Sequence, residues 1–244
     1  MNNSDFFDLV TIQENETESA EHYLKYRGIN EHIEMAKYLS SFLERKPTYQ
    51  EVATAFRYDK RLRRIILKYI GLLEEYFRAF LSNNYSTTSE LPEECRKLFQ
   101  NSKQKEKRKI VAIIENNGST YSLLNLLLFS NLIDMIFKCP ENIKMEIFDN
   151  KKCLKKNLDA INKLRNIVSH NRTLINCRDF NECTIKENVS GSSLYYNLLN
   201  LQYYLPSFLS NSFQTDIRNT KNSGEQKRDN QVEWNLIKNI YVNL

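Results

Sequence analysis

The chain has 244 residues, 41% of them hydrophobic and 27% charged, with a formal charge of +5 and a pI near 8.8. That is enough apolar material to bury a core, and it excludes disorder as the main state. Five glycines and four prolines are too few turn residues for a β-sandwich or barrel, so the composition predicts an all-α fold. The charge permits nucleic-acid binding without requiring it. Five cysteines, an odd number with no CxxC pair, argue against a disulfide scaffold or zinc ribbon and predict reduced thiols in a cytoplasmic protein. The first residues carry no basic segment followed by an apolar run, as a signal peptide would. No metal or cofactor is implied, because there is no HExxH, no Gly-rich phosphate loop and no paired metal-binding carboxylates.

Residues 1–16 read as an irregular lead-in and 17–209 as the helical domain. Apolar spacing predicts two helices between Thr17 and Lys46, broken at Gly28 and Asn30. Thr48 and Glu51 form a capping-box pattern that opens a short helix ending near Phe56. Tyr58 to Asn83 is the strongest helical period, with Leu62, Ile66, Tyr69, Leu73, Phe77 and Phe80 at spacings of three and four. Within it Asp59–Arg63 and Glu74–Arg78 stand four apart and read as structural ion pairs. Glu74 is also a candidate partner for Arg165. Residues 84–92 read as a loop, and helices are expected over 92–100 and 103–116.

The second of these opens on Lys103, Lys105, Lys107, Arg108 and Lys109, and Asn116-Asn117-Gly118 stops it. Ser119 can cap the next helix. The apolar stretch Tyr121–Cys139 is interrupted by Asn125, Asn131 and Asp134, which favours a buried amphipathic helix over a membrane span. Asp149 or Asn150 is expected to cap a helix running to about Val168. Residues 176–190 read as loop, and 192–209 as helix. Residues 210–231 form a polar, mobile segment, and 232–244 dock back through Trp234.

The candidate site is Arg165-Asn166-Ile167-Val168-Ser169-His170. On a helical wheel Leu154, Leu158, Ile161 and Val168 share a face, and Arg165 falls among them. A guanidinium there is costly unless it is paired or faces a polar cleft. Asn166 lies four residues before His170 and can orient its imidazole. Arg165 and His170 are about 140° apart on an ideal helix. For both to reach one phosphate, the helix must end near Ser169 or the site must span two subunits.

These groups suit RNA cleavage. A 2′-OH must lose a proton as it attacks phosphorus, and the 5′-oxygen must gain one as it leaves. An imidazole can do either, and a guanidinium fork can hold the charged non-bridging oxygens. Plainer readings stay open: His170 as a helix-terminal cation in the helix dipole, and Arg165 as an interhelical salt bridge. Lys151, Lys152, Lys155, Lys156, Lys163 and Arg172 lie near the motif in sequence. With the Lys103–Lys109 run they are candidate RNA contacts, or simply solvated faces.

The phrase LRNIVSHNRTLIN resembles the signature of the HEPN superfamily, in its abortive-infection D/F-type branch. Leu164, Arg165, Asn166, His170 and Asn176 match that branch's motif, and Arg172 sits one position before its usual Arg. A second block, Phe56, Asp59, Leu62, Arg63, Glu74 and Arg78, resembles another of its segments. The likeness extends over roughly residues 23–180, and the Trp and Gly usual in 120–135 are missing. It implies a HEPN-like helical bundle with added N- and C-terminal helices, homodimeric, with the motif near the two-fold interface. It further implies a metal-independent endoribonuclease of an anti-phage toxin–antitoxin kind, with RNA as substrate or a small non-coding RNA as antidote. Arg172 stands where relatives paired with a nucleotidyltransferase carry Tyr, which argues against that pairing. A non-catalytic RNA-binding protein within a ribonucleoprotein is the alternative, and a helical protein adaptor a third reading.

Overall fold

The computed structural model describes residues 3–100, 105–186, 189–222, 242 and 244. Among the described residues are twelve α-helices and one two-stranded hairpin, so the fold is all-α. In order they are α1 (Asn3–Phe7), a single 3-10 turn (Glu14–Glu16), α2 (Thr17–Arg27), α3 (Ile29–Leu43), α4 (Tyr49–Asn84), α5 (Glu93–Gln100), α6 (Lys105–Glu115), α7 (Thr120–Leu124), α8 (Phe129–Lys138), α9 (Glu141–Ile147), α10 (Lys155–Ser169), β1 (Cys183–Lys186), β2 (Val189–Gly191), α11 (Leu194–Tyr204) and α12 (Ser207–Asn222). No helix among the described residues is long and apolar enough to cross a membrane.

The chain divides into two compact units whose segments interleave in sequence. One holds residues 1–67, 166–179 and 213–244; the other holds 68–165 and 180–212. In the first unit Phe6, Ile33, Met35, Leu39, Phe56, Leu62, Leu174 and Phe213 form the core. His32 is packed within it, stacked on Phe56 at 4.0 Å, and its Nδ1–H donates to the Gly28 carbonyl at 2.7 Å. In the second unit the rings of Phe129, Phe77, Phe148 and Tyr204 make a continuous aromatic chain, in that order, with centroid separations of 6.4, 5.7 and 5.4 Å.

The capping box forms as expected: the Thr48 N–H donates to Glu51 Oε2 at 2.8 Å, and the Glu51 N–H donates to Thr48 Oγ1 at 3.2 Å. Several boundaries differ from the sequence reading. The lead-in is not wholly irregular: it contains α1, and Phe6 and Val10 are buried. The expected stop between Phe56 and Tyr58 is absent, because no Gly or Pro interrupts the apolar stripe there, and α4 runs through. Residues 210–222, expected to be mobile, continue α12, which buries Phe213 and Ile217. Part of 176–190 pairs as the antiparallel hairpin β1–β2. Lys103, Trp234 and residues 223–241 lie outside the described residues.

The 121–139 stretch is two helices rather than one. Arg78 explains the break: its Nε donates to the Leu124 carbonyl at 3.1 Å and its Nη2 to the Leu127 carbonyl at 3.0 Å. Those carbonyls are thereby satisfied without a continuing helix. The same guanidinium pairs with Glu74 at 2.6 Å, which bears out the expected pair and gives it a task.

Asp149 and Asn150 do not cap α10, which starts at Lys155. They end α9: the Asn150 N–H reaches the Met145 carbonyl at 2.7 Å and the Asp149 N–H the Glu146 carbonyl at 3.2 Å, with Asp149 left-handed at φ 50°. Asn and Asp suit the left-handed position at a helix end as well as a start, so composition alone does not separate the two roles.

Candidate functional site at the end of helix α10

α10 carries the motif. Its buried face is Leu158, Ile161, Leu164 and Val168, with Ala160 and Ile167 beside them, and Arg165 and Asn166 are half-buried. The helix stops at Ser169, and His170 is its C-cap. The Asn171 N–H bonds the Val168 carbonyl at 3.2 Å, and the Arg172 N–H bonds the Ile167 carbonyl at 3.1 Å. Asn171 has a left-handed φ of 55°. This is a Schellman turn with Asn where Gly is common. It satisfies the helix-ending condition set by the angular gap between Arg165 and His170.

His170 is exposed. Its backbone N–H donates to the Asn166 carbonyl at 3.0 Å. This main-chain contact joins the two residues across the last turn of the helix.

Beyond the turn the chain is held from α4. Asp59, 0% exposed, accepts the N–H groups of Leu174 (2.6 Å) and Ile175 (3.2 Å) on Oδ1, and Arg63 Nε (2.7 Å) on Oδ2. Arg63 Nη1 also donates to the Asn171 carbonyl at 3.0 Å and to its side-chain oxygen at 3.2 Å. Burial raises the Asp59 carboxyl above its ordinary range, against the downward pull of Arg63 and the two N–H donors. The Thr173 hydroxyl bonds Glu31 of α3 at 3.2 Å and also Asn176. Residues 171–176 thus form a turn locked at both ends. Sequence reasoning identified the Asp59–Arg63 pair but not its target. The one local signal was an Asn directly after a helix end.

Several of the candidate RNA contacts have intramolecular partners. Lys155 pairs with Asp134 at 3.0 Å and Asp159 at 3.1 Å. Lys156 Nζ donates to Thr184 Oγ1 at 2.9 Å, and Lys151 Nζ donates to the Leu205 carbonyl at 3.2 Å. Arg172 pairs with Asp179 at 3.3 Å. Lys152, Arg108 and Lys109 are exposed, Lys163 is half-buried, and Lys105 and Lys107 fall on the first turn of α6. Among the described residues no three His, Cys, Asp or Glu side chains converge as a metal site would need.

Both sequence blocks therefore meet in one structural device, with Asp59 and Arg63 of α4 holding the segment that follows His170. A family described as Abi-like protein matches residues 20–176, more than half of the chain and inclusive of both blocks. The chain belongs to the Abi-like protein family. No curated protein and no solved structure matches it. The matched region of this Abi-like protein starts within α2 and ends inside the locked turn, at Asn176.

Proposed function

We propose that this Abi-like protein is a metal-independent endoribonuclease of the HEPN kind, acting in abortive infection as a homodimer. One observation carries the reading. An exposed imidazole is set at the end of a buried helix, and the turn behind it is fixed by a buried carboxylate and a guanidinium. Proton transfer needs a group in water's reach but held in position, which is what a C-cap histidine before a locked turn provides.

In the reaction His170 takes the proton from a ribose 2′-OH, and the 2′-oxygen attacks the adjacent phosphorus. The bond from phosphorus to the 5′-oxygen breaks, and that oxygen leaves with a proton returned by an imidazolium. Arg165 neutralises the non-bridging oxygens, and Asn166 acts as a positioning residue for the end of the helix. The products are a 2′,3′-cyclic phosphate and a 5′-hydroxyl. Lys152, exposed near the motif, is the cation placed for the flanking strand.

The test is to incubate the purified full chain with RNA in chelator and map both ends. The expected result is 5′-hydroxyl ends that take kinase label without phosphatase treatment, falling by about 10²–10⁴ in rate for His170→Ala. Intact RNA with the wild-type chain, or wild-type cleavage by His170→Ala, overturns the reading. Stoichiometric binding of RNA that stays intact would instead favour a ribonucleoprotein component.

A further inference from the structure

Two thiols meet inside the second unit. Cys95 sits in the first turn of α5, and Cys139 follows α8 as its C-cap. The two helices pack against each other, and both residues are buried, Cys95 at 0% and Cys139 at 4% exposure. Their sulfurs are 3.9 Å apart across a sequence separation of 44 residues. Cys183, also buried, hydrogen-bonds instead to the carbonyls of Gly191 at 3.5 Å and Tyr196 at 3.3 Å. All of these cysteines are free thiols. Cys95 has one S–H for two acceptors, the Met135 carbonyl at 3.4 Å and the Cys139 sulfur. Once Cys139 loses its proton, Cys95 is the donor between them. That bond holds Cys139 below the ordinary thiol range, with Lys144 adding to it against burial. The same bond, and then burial, raise Cys95. The more acidic thiol is therefore also the less buried one, and the thiolate is the form that reacts.

We propose that Cys95 and Cys139 are a redox site, oxidised by a hydroperoxide to a disulfide that fastens α5 to the end of α8 and is opened again by a dithiol. With hydrogen peroxide, the Cys139 thiolate attacks one oxygen, the O–O bond breaks, and hydroxide leaves with the bonding pair. Cys139 is then a sulfenic acid. The Cys95 sulfur attacks the Cys139 sulfur, the S–O bond breaks, and the oxygen leaves as water with the Cys95 proton. The hydroxide takes up the proton that Cys139 released on ionising. The two thiols lose two electrons and two protons, and the peroxide becomes two waters. Sulfurs already in contact can bond through side-chain rotation, which thiols on separated elements cannot do. Burial selects the oxidant, because a molecule close to water in size fits where a peptide disulfide does not. The bond closes a loop containing α6, α7 and α8, and so removes freedom from the unfolded chain. The site stands whether or not the chain cuts RNA.

The experiment treats the full wild-type chain with hydrogen peroxide at neutral pH, alkylates the remaining thiols in denaturant and maps the peptides by mass spectrometry. The expected product is a peptide joining Cys95 to Cys139, from a chain lighter by two hydrogens, with the bond lost on adding dithiothreitol. The oxidised chain is expected to have the higher urea midpoint. In Cys95→Ala the resolving thiol is gone, so a 1,3-diketone probe is expected to trap sulfenic acid on Cys139, while Cys139→Ala gives no adduct on Cys95. Oxidised glutathione is expected to leave both thiols unmodified. The mapping is done on the wild type, so its outcome does not depend on either variant folding. Absence of the Cys95–Cys139 peptide, or an equal yield of it from a chain oxidised in urea, overturns the site. A diketone adduct on Cys95 rather than Cys139 overturns the order of attack. A glutathione adduct on either thiol overturns the selection by size, and an oxidised midpoint at or below the reduced one overturns the staple.

Discussion

The backbone N–H of Leu174 donates to Oδ1 of Asp59 at 2.6 Å across a sequence separation of 115 residues. One buried carboxylate thereby ties α4 to the turn that follows His170, with Arg63 completing the tie on its other oxygen. The pair is neither a surface ion pair nor an isolated buried one. Each Asp59 oxygen has a donor, and Arg63 spends a second nitrogen on Asn171. Removing either partner leaves a buried group without its counterpart. Asp59→Ala is therefore expected to lower unfolding free energy by about 3–5 kcal/mol, read as a fall in the urea midpoint. Asp59→Asn keeps an acceptor for Leu174 and is expected to cost less. Equal midpoints for wild type and Asp59→Ala would remove the clamp from the account.

Asn171 is the next test of the same turn. Its φ of 55° costs an ordinary residue about 1–2 kcal/mol, and its side-chain oxygen also accepts from Arg63. Asn171→Ala is expected to destabilise by about that amount. Asn171→Gly keeps the backbone freedom and loses only the side-chain contact, so its midpoint is expected to lie between the two. If Asn171→Gly falls below Asn171→Ala, left-handed strain is not what Asn relieves here.

These two residues also mark what was legible. The Thr48–Glu51 box and the helix end before Asn171 rest on neighbours within five positions, so the sequence carries them openly. The break between α7 and α8 was invisible because Arg78, 46 and 49 residues away, satisfies the carbonyls at Leu124 and Leu127. The β1–β2 hairpin depends likewise on a distant group. Asn157 accepts the Thr184 N–H at 3.0 Å and donates to the Thr184 carbonyl at 2.6 Å, and no pattern near 184 announces it. The residues of the candidate site could be named from the motif, but the hold of Asp59 on Leu174 required the fold.

Arg78 yields a third expectation. Its guanidinium serves Glu74 and two backbone carbonyls, a geometry that the single ammonium of Lys cannot reproduce. Arg78→Lys is expected to cost about 1.5–3 kcal/mol, with increased hydrogen exchange at the helix break. Exchange unchanged around Leu124–Leu127 would show that the break is held by something else.

Glu51 sets the pH response of the α4 start. Burial raises its carboxyl, but the Arg45 guanidinium and the Thr48 N–H outweigh that and hold it below the ordinary 4.5. A carboxyl lowered in the folded state binds fewer protons there than in the unfolded chain. Its stabilisation is full above about pH 4.5 and drains as pH falls through the folded value. Glu51→Gln is expected to be less stable than wild type at pH 7 by about 1 kcal/mol, with the gap closing on acidification. A gap that widens below pH 4.5 would reverse the assigned sign.

His170 separates stability from chemistry. It is exposed at a helix C-cap, where a histidine cation gains about 0.3–1 kcal/mol from the helix dipole. If that were its whole role, His170→Ala would lower the urea midpoint slightly and leave RNA intact or cut as before. As the proton-transfer group it should instead show a small stability change beside a rate loss of about 10²–10⁴. His170→Lys sharpens the contrast, since lysine places a cation at the helix end but titrates far above neutrality and cannot accept the proton. That variant is expected to hold wild-type stability and remain inactive at pH 7. Cleavage by His170→Lys at the wild-type rate would return His170 to a structural cap and move the chemistry elsewhere on the chain.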